Sequence, residues 1–330
     1  MPTELNLDVV VTRGGIVESR HRVHAAVVDA RGALIARAGD PELVTFARSC
    51  AKPFQVMPAL AFGTFEALGW DVDELALACA SHGGEPEHVA LASSMLRSAR
   101  MSESDLACGV HEPLSRRGAQ LAGEAATPVT RVHNNCSGKH AAMLAHARTR
   151  GWPIEGYERA GHPLQIAVEH ELATWCDMRA GSMAHGTDGC RAVTFALPLR
   201  AMALAFARLG SAAERGEEVP ARIVRAMTTR PLLVGGTDRF DTVLMEETRG
   251  RVLAKVGAEG VHALAILNLG IGVVLKAEDG AIRAQHPAAL RALQLLGALP
   301  DELPPRLAPF LRAPVTDTRG EAVGETRSAD

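Results

Sequence analysis

Arg48-Ser49-Cys50-Ala51-Lys52-Pro53-Phe54-Gln55 is where the chain changes character. Upstream it reads as strands. Residues 7–11 are β-rich and end at Gly14-Gly15, and residues 23–28 and 33–36 flank Asp29-Ala30-Arg31-Gly32, a hairpin loop. Downstream, as far as residue 230, apolar residues recur at helical spacing. The helical stretches are 54–68, 87–99, 140–148, 162–175, 195–210 and 220–228, with Gly- and Pro-bearing loops between them. Strands return after Gly235, over 251–256, 261–267 and 272–276. A helix over 287–296 and a short hairpin over 315–324 follow. Strands, a long helical insertion and strands again predict a mixed α+β fold: an antiparallel sheet built from both chain ends and flanked by helices. Residues 1–50 and 235–330 form its sheet lobe and 51–234 a mainly helical lobe, within one domain.

Composition narrows the partners. The chain of 330 residues is long enough to bury a substantial core, and 47% of it is apolar. A net charge of −3, scattered rather than clustered, argues against nucleic acid or an anionic membrane as partner. No apolar run approaches the roughly eighteen residues of a membrane span. Residues 1–6 lack a basic stretch followed by an apolar one, so a cytoplasmic location is the default expectation. The 6 cysteines are too few for a disulfide scaffold in a chain this long. Cys50, Cys79, Cys108 and Cys176 lie in apolar surroundings and read as buried free thiols, whereas Cys136 and Cys190 sit in polar, glycine-containing contexts.

Lysine is scarce. Lys52, Lys139, Lys255 and Lys276 are the only lysines among 35 basic residues, and the first three fall inside conspicuous motifs. Arginine supplies positive charge but cannot act as a base at accessible pH, whereas a desolvated lysine amine can. Ser49-x-x-Lys52 places a hydroxyl and an amine on one face where a helical run begins. A neutral amine there can take the serine proton, and the helix N-terminus can stabilise an oxyanion. Taken alone this spacing is common, and a capping serine followed by a solvated lysine is the plainer reading.

Ala80-Ser81-His82-Gly83-Gly84 offers a second hydroxyl beside backbone that a ligand can approach closely; His82 reads either as an acid–base residue or as a structural hydrogen-bonder. Lys255-Val256-Gly257, at a strand end, follows the lysine and glycine of the K-T-G strand that accompanies S-x-x-K in β-lactamases, but lacks its hydroxyl. No S-D-N element is present, and the single tyrosine, Tyr157, lies in a bland Gly-Tyr-Glu context, which leaves Ser81 as the intervening hydroxyl. In His133-Asn134-Asn135-Cys136-Ser137-Gly138-Lys139-His140, the Gly-Lys pair lacks the upstream glycine of a phosphate-binding loop. Cys136 precedes Lys139 by three residues at a helix start, which favours a thiolate, and Cys190 closes Gly186-Thr187-Asp188-Gly189-Cys190. Two thiolates with a nitrogen suit tetrahedral zinc, although the spacing alone does not bring Cys136 and Cys190 together.

Taken together these stretches resemble the rhizobial-type, or class 3, L-asparaginases of the asparaginase II family. The likeness rests on residues 48–53, 80–84, 133–140, 186–190 and 255–260, and on the closing Arg319-Gly320…Val323-Gly324-Glu325. The block from His133 to His140 is its most specific part. The resemblance implies a fold related to serine β-lactamases and glutaminases, hydrolysis of L-asparagine to L-aspartate and ammonia, and a homodimer. It assigns Ser49 and Lys52 to one catalytic pair and Ser81 and Lys255 to a second. Cys136, Lys139 and Cys190 match the family's zinc ligands, near the catalytic residues but apart from the chemical centre. Arg48 and Asp188 are expected to anchor the substrate's carboxylate and amine. The alternatives are a zinc-dependent amidohydrolase, a glutaminase or broader amidase of the same fold, and a non-catalytic amino-acid-binding protein. Threonine-dependent asparaginases are a poor match, because Gly235-Gly236-Thr237-Asp238 comes late and with different flanks.

Overall fold

The computed structural model describes residues 1–125 and 128–329, and the chain divides into two compact units. The first comprises residues 1–50, 197–211 and 243–330; the second comprises 51–196 and 212–242. The fold is mixed α+β, and both chain ends contribute strands to the first unit.

That unit holds a six-stranded sheet in the order Thr3–Glu4, Leu34–Ala38, Val23–Asp29, Ile271–Ala277, Val261–Ile266, Val252–Val256. Its neighbours are antiparallel except for the first pair. N-terminal and C-terminal strands meet at the centre, where Val27 pairs with Val273. Val261–Ile266 is buried at every residue, because both faces of the sheet are covered. Helix Ile282–Leu295 packs along the neighbouring strand Ile271–Ala277. Residues 199–211 lie against that strand too, and so closely that a Cβ on Gly272 would meet the Ala203 carbonyl oxygen at 1.9 Å. A second sheet, in the order Arg312–Thr316, Ala322–Ser328, Val9–Arg13, Ile16–His21, again joins the two ends of the chain.

The second unit is mainly helical. At its centre, Ser137–Thr149 is buried from Ser137 through Ala147. A helix enclosed on all sides normally carries apolar residues all round. This one carries Lys139, His140 and His146 inside, which marks it as more than scaffold. Val72–Ala78 and Pro86–Ser98 pack against it. Residues Ala184–Thr187 pair antiparallel with the start of strand Val193–Pro198, leaving 188–192 as the connecting turn.

Several local expectations are revised. The run expected as one helix over 54–68 is three short helices, Lys52–Gln55, Met57–Ala61 and Thr64–Leu68. Pro53 and Pro58 each occupy a helix start and Gly63 separates the last two, so the backbone breaks where the apolar period continues. Phe195 lies in a strand, and the helix begins only at Leu199. The late helix starts at Ile282 and runs through Pro287, which the sequence reading had placed in its first turn. Ile16–His21 is a strand that lacks a clean alternating pattern, consistent with its place at a sheet edge.

Candidate active site

Lys52 opens the helix Lys52–Gln55 and is fully buried. Its amine donates to the Ala80 carbonyl, to Ser81 Oγ at 3.1 Å and to the Asn135 carbonyl at 3.5 Å. Ser81 stands in the loop between Val72–Ala78 and Pro86–Ser98, and is buried. The next residue fixes that loop. His82 Nδ1 accepts from the Gly84 N–H at 3.1 Å, so Nε2 carries the hydrogen and donates to Ser137 Oγ at 2.9 Å. Ser137 passes its own hydrogen to the Val132 carbonyl. Burial holds His82 well below the usual histidine range, so it is neutral and its place is structural. The Asn135 carbonyl accepts from both the His82 N–H and the Lys52 amine, which ties the Ser81 loop to the residue before Cys136.

Glu85 closes the same loop from behind. It is buried and accepts from Arg117 at 2.5 Å, from the Thr237 N–H at 2.6 Å and from Thr237 Oγ1 at 2.8 Å. Burial opposes ionisation, but these donors outweigh it and keep the carboxyl below its ordinary range. Thr237, in the Gly-Gly-Thr-Asp stretch whose late position argued against the threonine-dependent class, thus anchors the loop that carries Ser81. Only the late Gly-Gly-Thr drew attention to it; nothing in sequence pairs it with Glu85.

The second cluster gathers around sulfur. Cys136 caps helix Ser137–Thr149, Lys139 lies one turn in, and Cys190 sits in the 188–192 turn. Lys139 Nζ donates to Cys190 Sγ at 3.0 Å, and Cys136 and Cys190 are hydrogen-bonded, both buried. Cys136 Sγ also donates to Asn135 Oδ1 at 3.2 Å. The bond from Cys136 pulls Cys190 far below the ordinary thiol range against the effect of burial, aided by Lys139. The same bond, with burial, pushes Cys136 up. Burial would neutralise the Lys139 amine, yet the Cys190, Cys136 and Asp188 charges overcome it and keep the ammonium. Asp188 Oδ2 lies 3.9 Å from Cys190 Sγ.

His140 and Tyr157 support this cluster. Tyr157 Oη accepts from the Ala107 N–H at 3.0 Å, so its own hydrogen is available to His140 Nδ1 at 2.7 Å. That leaves the hydrogen on Nε2, which is buried beside Cys190. The tyrosine that looked bland in sequence therefore sets the tautomer of a histidine facing the thiolate.

In the first unit, Arg48 and Ser49 lie in a 3₁₀ turn, Arg48–Ala51, and Lys255 lies in strand Val252–Val256. Lys255 is fully buried and its amine donates to the Val256 carbonyl at 2.8 Å. Arg48 has a φ of 48°, the left-handed region, directly ahead of Ser49. The helical unit thus brings together Lys52 and Ser81, and Cys136, Lys139, Cys190 and Asp188; Arg48, Ser49 and Lys255 belong to the sheet unit.

The model of the L-asparaginase II family matches residues 9–328. The chain belongs to the L-asparaginase II family. No protein of curated function matches its sequence significantly. Among solved structures it is similar to Mglu in its native form, with a TM-score of 0.46 at 15% identity over 85% of this chain and 66% of that one. It is also similar to Mglu in its L-glutamate binding form, with a TM-score of 0.38 at 18% identity over 84% and 61%. A β-lactamase from Mycobacterium bovis gives a TM-score of 0.37 at 15% identity over 84% and 96%. The chain spans 66% or less of the length of these two Mglu chains.

For this member of the L-asparaginase II family, the zinc set implied by resemblance can be compared with the donors present. Among the described residues no three His, Cys, Asp or Glu side chains form a metal cage. The set here is two thiols and an amine, and its chemistry fits: both sulfurs are free and buried, and Cys190 is held far below the ordinary thiol range. Lys139 would give up its proton on ligating, as metal binding at such a site generally requires. No helix among the described residues is long and apolar enough to cross a membrane.

Proposed function

We propose that this protein hydrolyses L-asparagine to L-aspartate and ammonia by acyl transfer to serine. The observation that carries the reading is the buried Lys52 amine, 3.1 Å from the Ser81 hydroxyl, in a chain of the L-asparaginase II family. Two carbonyls, of Ala80 and Asn135, engage two of its N–H bonds. In the neutral amine the remaining position is a lone pair open to a hydroxyl; in the ammonium it is the hydrogen donated to Ser81 Oγ. Ser49, three residues before Lys52, attacks the side-chain amide carbon as neutral Lys52 takes its proton. The resulting ammonium hands that proton through Ser81 to the departing nitrogen, so ammonia leaves and a β-aspartyl ester remains on Ser49. Water then attacks the ester by the reverse relay. Lys255 is assigned to the second pair with Ser81, and Arg48 and Asp188 to the substrate's carboxylate and amine.

Cys136, Lys139 and Cys190 would hold zinc, with the His140 ring buried beside the Cys190 sulfur. When bound, the ion supplies a fixed positive charge beside the substrate's binding groups. The protein is further assigned to the cytoplasm and to a homodimer, which sedimentation at micromolar concentration would test.

The test is ammonia release from asparagine and from glutamine, with Ser49→Ala and Ser81→Ala alongside wild type. Asparagine is expected as the better substrate, both variants as nearly inactive, and mass spectrometry of rapidly quenched enzyme should place the ester on the Ser49 peptide. An ester on the Ser81 peptide would reverse the two serine roles. Activity lost completely on chelation, and restored by zinc, would favour the metal-dependent alternative.

A further inference from the structure

Cys50 reads in sequence as one more buried thiol, but its neighbours give it a specific place. It follows Ser49 in the 3₁₀ turn, is buried, and its Sγ donates to the Lys255 carbonyl at 3.2 Å. Ser49's turn and Lys255's strand lie about 200 residues apart in sequence but in the same unit, and this contact joins them. The surroundings are shaped to it. A Cβ on Gly257 would fall 3.0 Å from Cys50 Sγ and 3.0 Å from the Val261 carbonyl oxygen, so the sulfur occupies space that any other residue at 257 would contest.

From helix Ile282–Leu295 the buried Gln285 amide donates at 2.8 Å both to the Gly257 carbonyl and to the Val261 carbonyl. The Gly257 N–H returns to Val261, also at 2.8 Å. The end of the Lys255 strand is therefore held by Gln285 and met by the Cys50 thiol.

We propose that Cys50 is a positioning residue, whose thiol-to-carbonyl bond sets Ser49's turn at a fixed distance from the strand that carries Lys255. The inference rests on the reading above that Ser49 and Lys255 serve one reaction. A bond between backbone and side chain suits this task because it engages the strand's carbonyl and not the lysine amine. Small displacements of reacting groups lower the rate of the chemical step more than they weaken substrate binding.

The experiment compares Cys50→Ser, Cys50→Val and Gly257→Ala with wild type for kcat, KM and thermal midpoint. Cys50→Ser keeps a donor and should hold kcat within about threefold, whereas Cys50→Val fills the space without a donor and should lower kcat about tenfold with KM within twofold. Gly257→Ala, which crowds the sulfur, should lower kcat similarly. Wild-type kcat in Cys50→Val overturns the proposal, since volume alone would then suffice. So does an equal loss in Cys50→Ser and Cys50→Val. Ser49→Ala serves as the separate control: if it keeps full activity, the underlying reading fails whatever the Cys50 variants do.

Discussion

Lys52 and Lys139 begin from the same sequence arrangement and end in different chemistry. Each follows a nucleophilic side chain by three residues, Ser49 or Cys136, each is buried, and each bonds a residue far along the chain. Lys52 is surrounded by oxygen: two carbonyls and the Ser81 hydroxyl. Lys139 faces the Cys190 sulfur, which its partners hold far below the ordinary thiol range. An amine held by carbonyls beside a hydroxyl is placed to exchange a proton with that hydroxyl. One beside a thiolate is either fixed as an ammonium or becomes a ligand when a metal replaces its proton. Spacing decides what a lysine can reach, and its partners decide what it does there.

The strongest way to break this contrast is to replace each lysine by arginine, which keeps the charge and removes the base. Lys52→Arg should lower kcat/KM by about a thousandfold in an ammonia-release assay, within the usual range for general-base loss. Lys139→Arg should cost far less; equal losses would mean that the two amines share one role. Next, Cys190→Ser should weaken zinc binding about a hundredfold in competition with a chromophoric chelator, while Ser81→Ala leaves it within threefold. A drop in both would merge the oxygen and sulfur clusters into one site. Tyr157→Phe removes the hydroxyl that sets the His140 tautomer, and should weaken zinc about tenfold with asparagine KM unchanged.

The smallest effect concerns the stability of the helix that carries Lys139. Burial and the Arg150 charge bring His146 down to about 4. A folded pKa below the unfolded value near 6.5 means that the unfolded chain binds the extra proton first. The stabilisation is complete above about pH 6.5 and is lost as pH falls through 4, on the order of 3 kcal/mol. The thermal midpoint should fall by several degrees between pH 7 and pH 4, and His146→Gln should flatten that slope. An unchanged slope would show that His146 does not titrate with unfolding.

Much of this was legible in the residues. The alternation of strands and helical runs gave the mixed α+β class, and the scarcity of lysine singled out Lys52, Lys139 and Lys255. The contacts were not legible. Lys52 reaches Ser81 because the 80–84 loop folds back over it, and Cys190 reaches Lys139 because a hairpin turn carries it there; neither follows from local spacing. Glu85 with Thr237, and His140 with Tyr157, were passed over because each partner looks ordinary alone and a buried hydrogen bond between distant residues leaves no periodic mark. The breaks at Pro58 and Gly63 were misread because apolar period outlasted backbone continuity.

Arg48 carries one more consequence. It holds a left-handed backbone that glycine would adopt without penalty, whereas a residue with a Cβ gives up about 1 kcal/mol there. A screen for thermostability alone would therefore select Arg48→Gly. If the guanidinium serves substrate as assigned, the enriched clones would be sturdier and poorer catalysts, and position 48 would mark where robustness and turnover diverge.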